Sequence, residues 1–304
     1  MKTTVARRVV WIALLVSLLV VIGFLLRPVS YFNALIYLKE DLSGISSRYV
    51  RVDGYRVHYL VEGSATGPVI VLVHGLGSRA EDWLNLAPYL VKAGFRVYIP
   101  DLPGYGRSER PRNFSYSVHD EAAVVVGFMN ALGLRQVDLG GWSMGGWIVE
   151  LVAARRPELV QRLILFDSAG LNIRPDWNTG LFTPANAAQL DALDALLMPQ
   201  PQPIPGYVAR DLLRRFHQEA WIINRAMASM LTAQDVTDAL LPDLKMPVLL
   251  EWGAVDKVTP VAQAQTIHQL IPQSRLDVYA GCGHLAPLQC SAQMGPSVVK
   301  FLQQ

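Results

Sequence analysis

Only two cysteines, Cys282 and Cys290, occur in 304 residues, and neither stands in a metal-ligand spacing with a histidine. A cross-linked secreted scaffold and a zinc module are therefore excluded. In an oxidising compartment the pair could close a short loop. Their usual preference for the interior instead favours two unpaired, partly buried thiols. Charge is also scarce, at 17% of residues with a net value of +2, and no basic block lies outside the N-terminus. A nucleic-acid surface needs clustered Lys and Arg, so nucleic acid is not a partner on this reading. No internal repeat is present, which sets aside a solenoid.

Apolar residues, by contrast, are plentiful at 51%, and part of the excess is local. Residues Val9–Leu26 read VVWIALLVSLLVVIGFLL, with Ser17 the only polar side chain. A helix rising about 1.5 Å per residue would nearly cross a hydrocarbon layer roughly 30 Å thick over such a run. Arg27 and Pro28 follow, without a small-residue cleavage site, which favours an uncleaved signal-anchor over a removed signal peptide. Lys2, Arg7 and Arg8 precede the run, whereas Arg27 and Lys39 beyond it are offset by Glu40 and Asp41. The bias places the tail in the cytoplasm and the remaining chain outside, in the periplasm if the source is bacterial. Next, Val29, Phe32, Leu35, Ile36 and Leu42 recur near helical spacing beside Tyr31 and Tyr37. That stretch suits either an interfacial helix or an ordinary helix packed on a core.

From residue 48 the pattern alternates. RYVRV and YRVHYLVEG flank Asp53-Gly54, a dipeptide suited to a tight hairpin. PVIVLVHG then reads as a strand buried on both faces. Ser78 and Glu81 have the spacing of a capping box ahead of a helix running to Gly94, and FRVYIPD returns to strand character. Helices near Val118–Leu132 and Gly145–Arg155 separate the strands QVDLGG and RLILFD. PVLLEWG, a helix over Pro260–Leu270, SRLDVYA and a helix near Ala292–Leu302 close the chain. Such alternation implies an α/β doubly wound, mostly parallel sheet. Between Gly170 and Lys245 the rhythm stops, and ANAAQLDALDALL and YVARDLLRRFHQEAWIINRAMASML look helical on either side of PQPQPIPG. The expected organisation is a cytoplasmic tail (1–8), a transmembrane anchor (9–26), an interfacial connector (27–47), a core (48–170), a helical cap (171–245) and the rest of the core (246–304).

One stretch of the core, LGGWSMGG at 139–146, sets a serine among four glycines between a strand and a helix. Gly141-Trp142-Ser143-Met144-Gly145 is G-x-S-x-G, a sharp turn in which a Cβ two positions to either side would meet neighbouring backbone. Gly141 and Gly145 remove those collisions, so the hydroxyl of Ser143 projects above the carboxyl ends of the strands. A serine needs a base, and the base needs an orienting carboxylate. His284, after the last strand, is the candidate base. Asp256, just past PVLLEW, is the candidate carboxylate, in the chain order that accompanies such an elbow. Asp167, at the end of RLILFD, is the alternative acid. Attack on a carbonyl creates an oxyanion, for which the N–H groups of Met144 and of Leu76, in His74-Gly75-Leu76-Gly77, are the expected donors. His74, ahead of that loop, suits a structural hydrogen bond rather than the role of base. DLPGYGRS at 101–108 shapes the rim.

HGLG, DLPGYGRS, GWSMGG, WGAVDKVTP and GCGHLAP, in this order, resemble the α/β-hydrolase superfamily across about residues 48–304. With the N-terminal anchor and FDSAGL, the chain is similar to membrane-anchored monoacylglycerol lipases and related bacterial lipases. The resemblance implies an eight-stranded, mostly parallel sheet with flanking helices and a helical cap. It also implies ester hydrolysis without metal or cofactor, a small lipophilic ester as the substrate, the membrane as the only other partner, and no obligate protein partner. Relatives that dehalogenate or open epoxides carry Asp where this chain has Ser143. C–C bond hydrolases, thioesterases and aminopeptidases share the serine elbow, and a slow hydrolase used as a ligand sensor also fits.

Overall fold

The computed structural model describes the backbone of residues 2–304 and the side chains of residues 11–304. Eight strands form one sheet in the order β1-β2-β4-β3-β5-β6-β7-β8. They are β1 (Ser46–Val52), β2 (Tyr55–Glu62), β3 (Val69–Val73), β4 (Arg96–Pro100), β5 (Val137–Trp142), β6 (Val160–Phe166), β7 (Val248–Gly253) and β8 (Arg275–Tyr279). β1–β2 and β2–β4 pair antiparallel, and every later pairing is parallel. The hairpin turns where its sequence demands it. Val52 pairs with Tyr55, and between them Asp53 (φ 49°) and Gly54 (φ 91°) both take positive φ, as a two-residue turn requires. Chain order reverses around β3, which lies between β4 and β5, and ligand sites in such sheets form at the carboxyl ends near that switch.

Alternation along the parallel strands fills two layers. Ile70 and Leu72 of β3 pack on one face with Trp83, Leu90 and Phe166, and with Met294 and Val298 of the closing helix α10 (Ser291–Leu302). Val71 and Val73 turn to the other face, against α4 (Val118–Ala131) and α5 (Met144–Arg155). α8 (Val261–Leu270) connects β7 to β8. The helix expected from Ser78 to Gly94 is instead a 3-10 turn over Ala80–Trp83 followed by α3 (Ala87–Lys92). Pro88 has no N–H to donate and so cannot sit inside a continuous helix. Glu81 does not cap the helix. Its buried carboxylate pairs with Arg107 at 2.7 Å.

Between β6 and β7 the chain forms α6 (Ala187–Leu197) and α7 (Gly206–Met230) and no strand. At the other end lie α1 (Lys2–Leu26) and α2 (Pro28–Leu42). The single membrane span expected over 9–26 is not supported. Among the described residues no single helix is long and apolar enough to cross a membrane, although Trp11–Leu26 and Pro28–Leu42, bent by 103°, have that length and apolar character together. The described apolar run is too short by itself, because the expected span also counted Val9 and Val10. Those side chains, and the charges of the tail at 1–8, lie outside the described residues.

α2 settles against the core by its polar side. Asn33 and Glu40 are buried, while Phe32, Leu35, Leu38 and Leu42 face outward. Asn33 accepts from Arg79 at 3.0 Å, Glu40 pairs with Arg107 at 2.8 Å, and the Val29 N–H donates to Asp211 of α7 at 3.1 Å.

A second correction concerns the cysteines, which form a Cys282–Cys290 disulfide rather than two thiols. The loop reverses through the short helix α9 (Ala286–Gln289) and sets the Cα atoms 6.3 Å apart, within bridging range.

Arg107 joins two buried carboxylates, one from α2 and one from the loop after β3. Arg107→Ala leaves Glu40 without its cation and Glu81 with only Arg79, at 3.5 Å, and is expected to destabilise the fold by about 2–3 kcal/mol, less than a fully buried pair would give because the arginine is partly exposed. Thermal unfolding combined with limited proteolysis near α2 measures this. An unchanged melting temperature would mean that apolar contacts alone hold α2.

Candidate active site

Ser143 joins β5 to α5 with φ 57° and ψ −121°, a left-handed conformation rare for any residue with a Cβ. The elbow persists because its backbone is held on both sides. The Ser143 N–H donates to Phe166 O at 3.0 Å, and its carbonyl accepts from Ala169 N at 3.1 Å and Trp147 N at 3.2 Å. A Cβ on Gly141 would overlap the carbonyl of Gly145, and one on Gly145 would overlap the carbonyls of Val73 and His74. At these two positions only hydrogen fits.

The elbow carries the hydroxyl to the loops that follow β7 and β8. Ser143 Oγ lies 2.8 Å from His284 Nε2, and His284 Nδ1 lies 2.8 Å from Asp256 Oδ2. With Nδ1–H donating to the carboxylate, Nε2 is left as an acceptor for the serine proton. Asp256 is itself fixed by three donors: the Val258 N–H at 2.7 Å and Thr259 N–H at 3.0 Å on Oδ1, and the Thr259 hydroxyl at 2.8 Å on Oδ2. Burial pushes the Asp256 carboxyl up. The charge and hydrogen bond of His284 and the Thr259 donors outweigh burial and hold it below the ordinary carboxylate value. The imidazole is held through its backbone as well. His284 N donates to Leu197 O at the end of α6 at 3.0 Å, and its carbonyl accepts from Trp142 Nε1 at 2.8 Å. Of the two candidate acids, the structure therefore brings Asp256 to the imidazole. Asp167 lies behind it and accepts from Gly253 N at 2.7 Å.

The expected oxyanion donors flank the hydroxyl. Met144 is the first residue of α5, where N–H groups have no partner inside the helix. On the other side, Gly75 passes so close that an added Cβ would stand 3.2 Å from the Ser143 Cβ, which places the adjoining Leu76 at the same cavity. His74 organises this loop: Nδ1 donates to Gly75 O at 2.8 Å and Nε2 accepts from Leu102 N at 3.0 Å. Burial lowers its pKa, as suits a neutral imidazole with one donor and one acceptor engaged. The cavity above Ser143 measures about 180 Å³, with Leu76, Trp147, Trp177, Phe182, Met227 and Met230 among its walls.

Sequence reasoning missed several groups. Thr259, three residues after Asp256, makes an Asx-type contact that the VDKVT spacing could have suggested. Asp101 was assigned only to the rim, yet its buried carboxylate takes His58 Nδ1 at 2.7 Å, Ala80 N at 2.7 Å and Arg107 N at 2.9 Å. Glu150, fully enclosed on α5, accepts from Ser168 Oγ at 2.7 Å and Thr237 Oγ1 at 2.6 Å, joining the nucleophile helix to the insertion between β6 and β7. No local pattern announces the latter two, because their partners are distant in the chain.

The sequence model of the alpha/beta hydrolase fold family matches residues 68–199. Lipase 3 of Moraxella sp. (strain TA144) is 28% identical over 249 residues, covering 76% of this chain and 76% of the relative. The 2-hydroxy-6-oxo-2,4-heptadienoate hydrolase of Pseudomonas putida is 30% identical over 248 residues, covering 73% of this chain and 84% of the relative. Among solved structures, a membrane phospholipase A described as a novel bacterial virulence factor superposes with a TM-score of 0.83 at 28% identity, covering 100% of this chain and 98% of that one.

Glu150 supplies a pH test of the geometry. Burial first of all, only partly offset by the hydroxyl donors, pushes its pKa from 4.5 up to about 8. The folded chain therefore holds a proton that the unfolded chain releases, and stability falls as pH rises from about 4.5 towards 8. Glu150→Gln keeps the bonds to Ser168 and Thr237 but cannot ionise. Urea unfolding across this range should show its stability relative to the native chain increasing with pH, whereas parallel curves would contradict the assignment.

Proposed function

We propose, on the premise that this chain belongs to the α/β-hydrolase family, that it hydrolyses lipophilic carboxylic esters such as monoacylglycerols through an acyl-enzyme on Ser143. The observation that carries this reading is the continuous relay from Ser143 Oγ through both ring nitrogens of His284 to Asp256, opening into a cavity with both apolar walls and polar ones such as Asn172, Arg174 and Gln263. Ser143 Oγ attacks the ester carbonyl while His284 Nε2 takes its proton. Asp256 holds the ring in the required tautomer and stabilises the imidazolium that forms. The N–H groups of Leu76 and Met144 receive the oxyanion, where each such donor is typically worth about 3 kcal/mol. Collapse breaks the bond to the alcohol oxygen, which leaves with the proton from His284. A water, deprotonated by the same nitrogen, then attacks the acyl carbon and releases the acid and the serine. The reaction draws on no metal or cofactor.

Lipophilic substrates are supported by the aromatic and methionine side chains on one side of the cavity and by a second cleft of about 660 Å³, lined in part by Phe24, Val29, Phe32, Leu212 and Phe216 where α1, α2 and α7 meet. Membrane tethering, with the core (48–170 and 246–304) and cap (171–245) on the extracytoplasmic side, is part of the same reading. Its support is the exposed apolar side chains over Trp11–Leu26 and on the outer face of α2. The Cys282–Cys290 bridge also suits an oxidising compartment. Bent as they are, α1 and α2 fit an apolar segment that enters the bilayer followed by one that lies along its surface.

C–C bond hydrolysis on the same triad is the second reading, favoured by the 30% identity to the heptadienoate hydrolase. A turnover panel of monoacylglycerols, short aryl esters, thioesters and 2-hydroxy-6-oxo-dienoates separates the two. Preferred turnover of the dienoates would replace the first reading by the second. Ser143→Ala is expected to abolish labelling by a fluorophosphonate and to lower ester turnover by at least about 10³-fold. Undiminished labelling of the variant would remove Ser143 as the nucleophile.

A further inference from the structure

Behind the relay stands a second buried acid that the reaction does not use. Asp167 follows β6 at φ 42° and is 0% exposed. Its Oδ1 accepts from Gly253 N at 2.7 Å, and its carbonyl lies 3.0 Å from Thr259 Oγ1, whose single proton goes to the nearer Asp256 carboxylate at 2.8 Å. Its Oδ2 is enclosed and, among the described residues, receives no donor. The Thr259 hydroxyl, 3.0 Å from the Asp167 carbonyl and 2.8 Å from Asp256 Oδ2, sets the two acids side by side, and the Asp256 carboxylate is itself only an acceptor. Two carboxylates cannot meet in a dry site without a proton between them. Asp256 has the imidazole and three other donors to stabilise its charge, while Asp167 has one.

Building on the acyl-transfer reading above, we propose that Asp167 is a positioning residue that carries a proton and donates it as a hydrogen bond to Asp256. Burial, then the charge of Asp256, push the Asp167 pKa well up, and Glu251 on β7 adds to this. The groups facing it are therefore Asp256 and Glu251, both acidic, with His284 beyond Asp256. The donated bond fixes the carboxylate from the side opposite the imidazole. It also draws off part of the charge that Asp256 presents to His284, which limits stabilisation of the imidazolium.

The test is the pH dependence of Ser143 labelling by a fluorophosphonate in Asp167→Asn and Asp167→Ala. The asparagine amide can still donate to Asp256 while its oxygen accepts from Gly253, so the acid limb should stay where it is in the native protein. Alanine removes the donor, so the limb should move up by roughly one pH unit. The ester kcat should fall several-fold with little change in KM. Independently, the infrared difference between native protein and Asp167→Asn at neutral pH should contain the carbonyl stretch of a protonated carboxylic acid, a result that stands even if the alanine variant fails to fold. Absence of that band, coincident acid limbs in all three proteins, or an asparagine shift as large as that of alanine would overturn the proposal. Native protein that resists labelling would instead count against the acyl-transfer reading, and the infrared band would still decide whether the carboxyl pair holds a proton.

Discussion

The left-handed backbone at Ser143 is the constraint on which the site depends. Strain of this kind persists only where the surroundings over-determine it. Here the elbow is held by Phe166 on the neighbouring strand, by Ala169 beyond it, and by glycines that admit β3 and its loop to contact distance. The same approach of β3 and its loop that makes Gly145 obligatory brings Gly75 and Leu76 beside the hydroxyl. Nucleophile presentation and the placement of oxyanion donors are therefore one packing event.

A second theme is how the fold distributes charge around that elbow. Asp167, Glu251 and Asp256 stand near one another in the core, and all are buried. Burial raises Asp167 and takes Glu251 up to about 8, whereas the donors around Asp256 hold it down. Negative charge is thus confined to the one carboxylate that touches the imidazole. The insertion takes part as well, since the carbonyl of Leu197 holds the backbone of His284 and Thr237 engages Glu150 beside the elbow. Movement of α6 would therefore be felt directly at the base.

Much of this was legible in the sequence where the signal is local. Period-two alternation marked the first two strands and a nearly continuous apolar run the next, Asp53-Gly54 marked the hairpin, and the glycines around Ser143 marked the elbow. Asp256 and His284 could be singled out because each follows a strand, so topology alone carries them to one edge of the sheet. What could not be read depends on contacts between distant segments. The polar residues of α2 turn inward because Arg79 and Arg107 wait there, and its apolar spacing alone left open whether the apolar face turned outward or onto a core. The cysteines pair because a loop doubles back, and nothing in their spacing of eight requires it. Pro88, by contrast, is a local signal for the break in the helix after Ser78.

The central claim is that Ser143, His284 and Asp256 form one acyl-transfer centre with Leu76 and Met144 as its oxyanion donors. A crystal structure of the protein after reaction with an alkylphosphonate tests it most directly. The account predicts phosphorus bonded to Ser143 Oγ, a phosphonyl oxygen within hydrogen-bonding distance of the Leu76 and Met144 N–H groups, and the alkyl chain in the cavity beside Trp147 and Met227. Phosphorus on another residue, or on Ser143 with that oxygen turned away from both N–H groups, would contradict it.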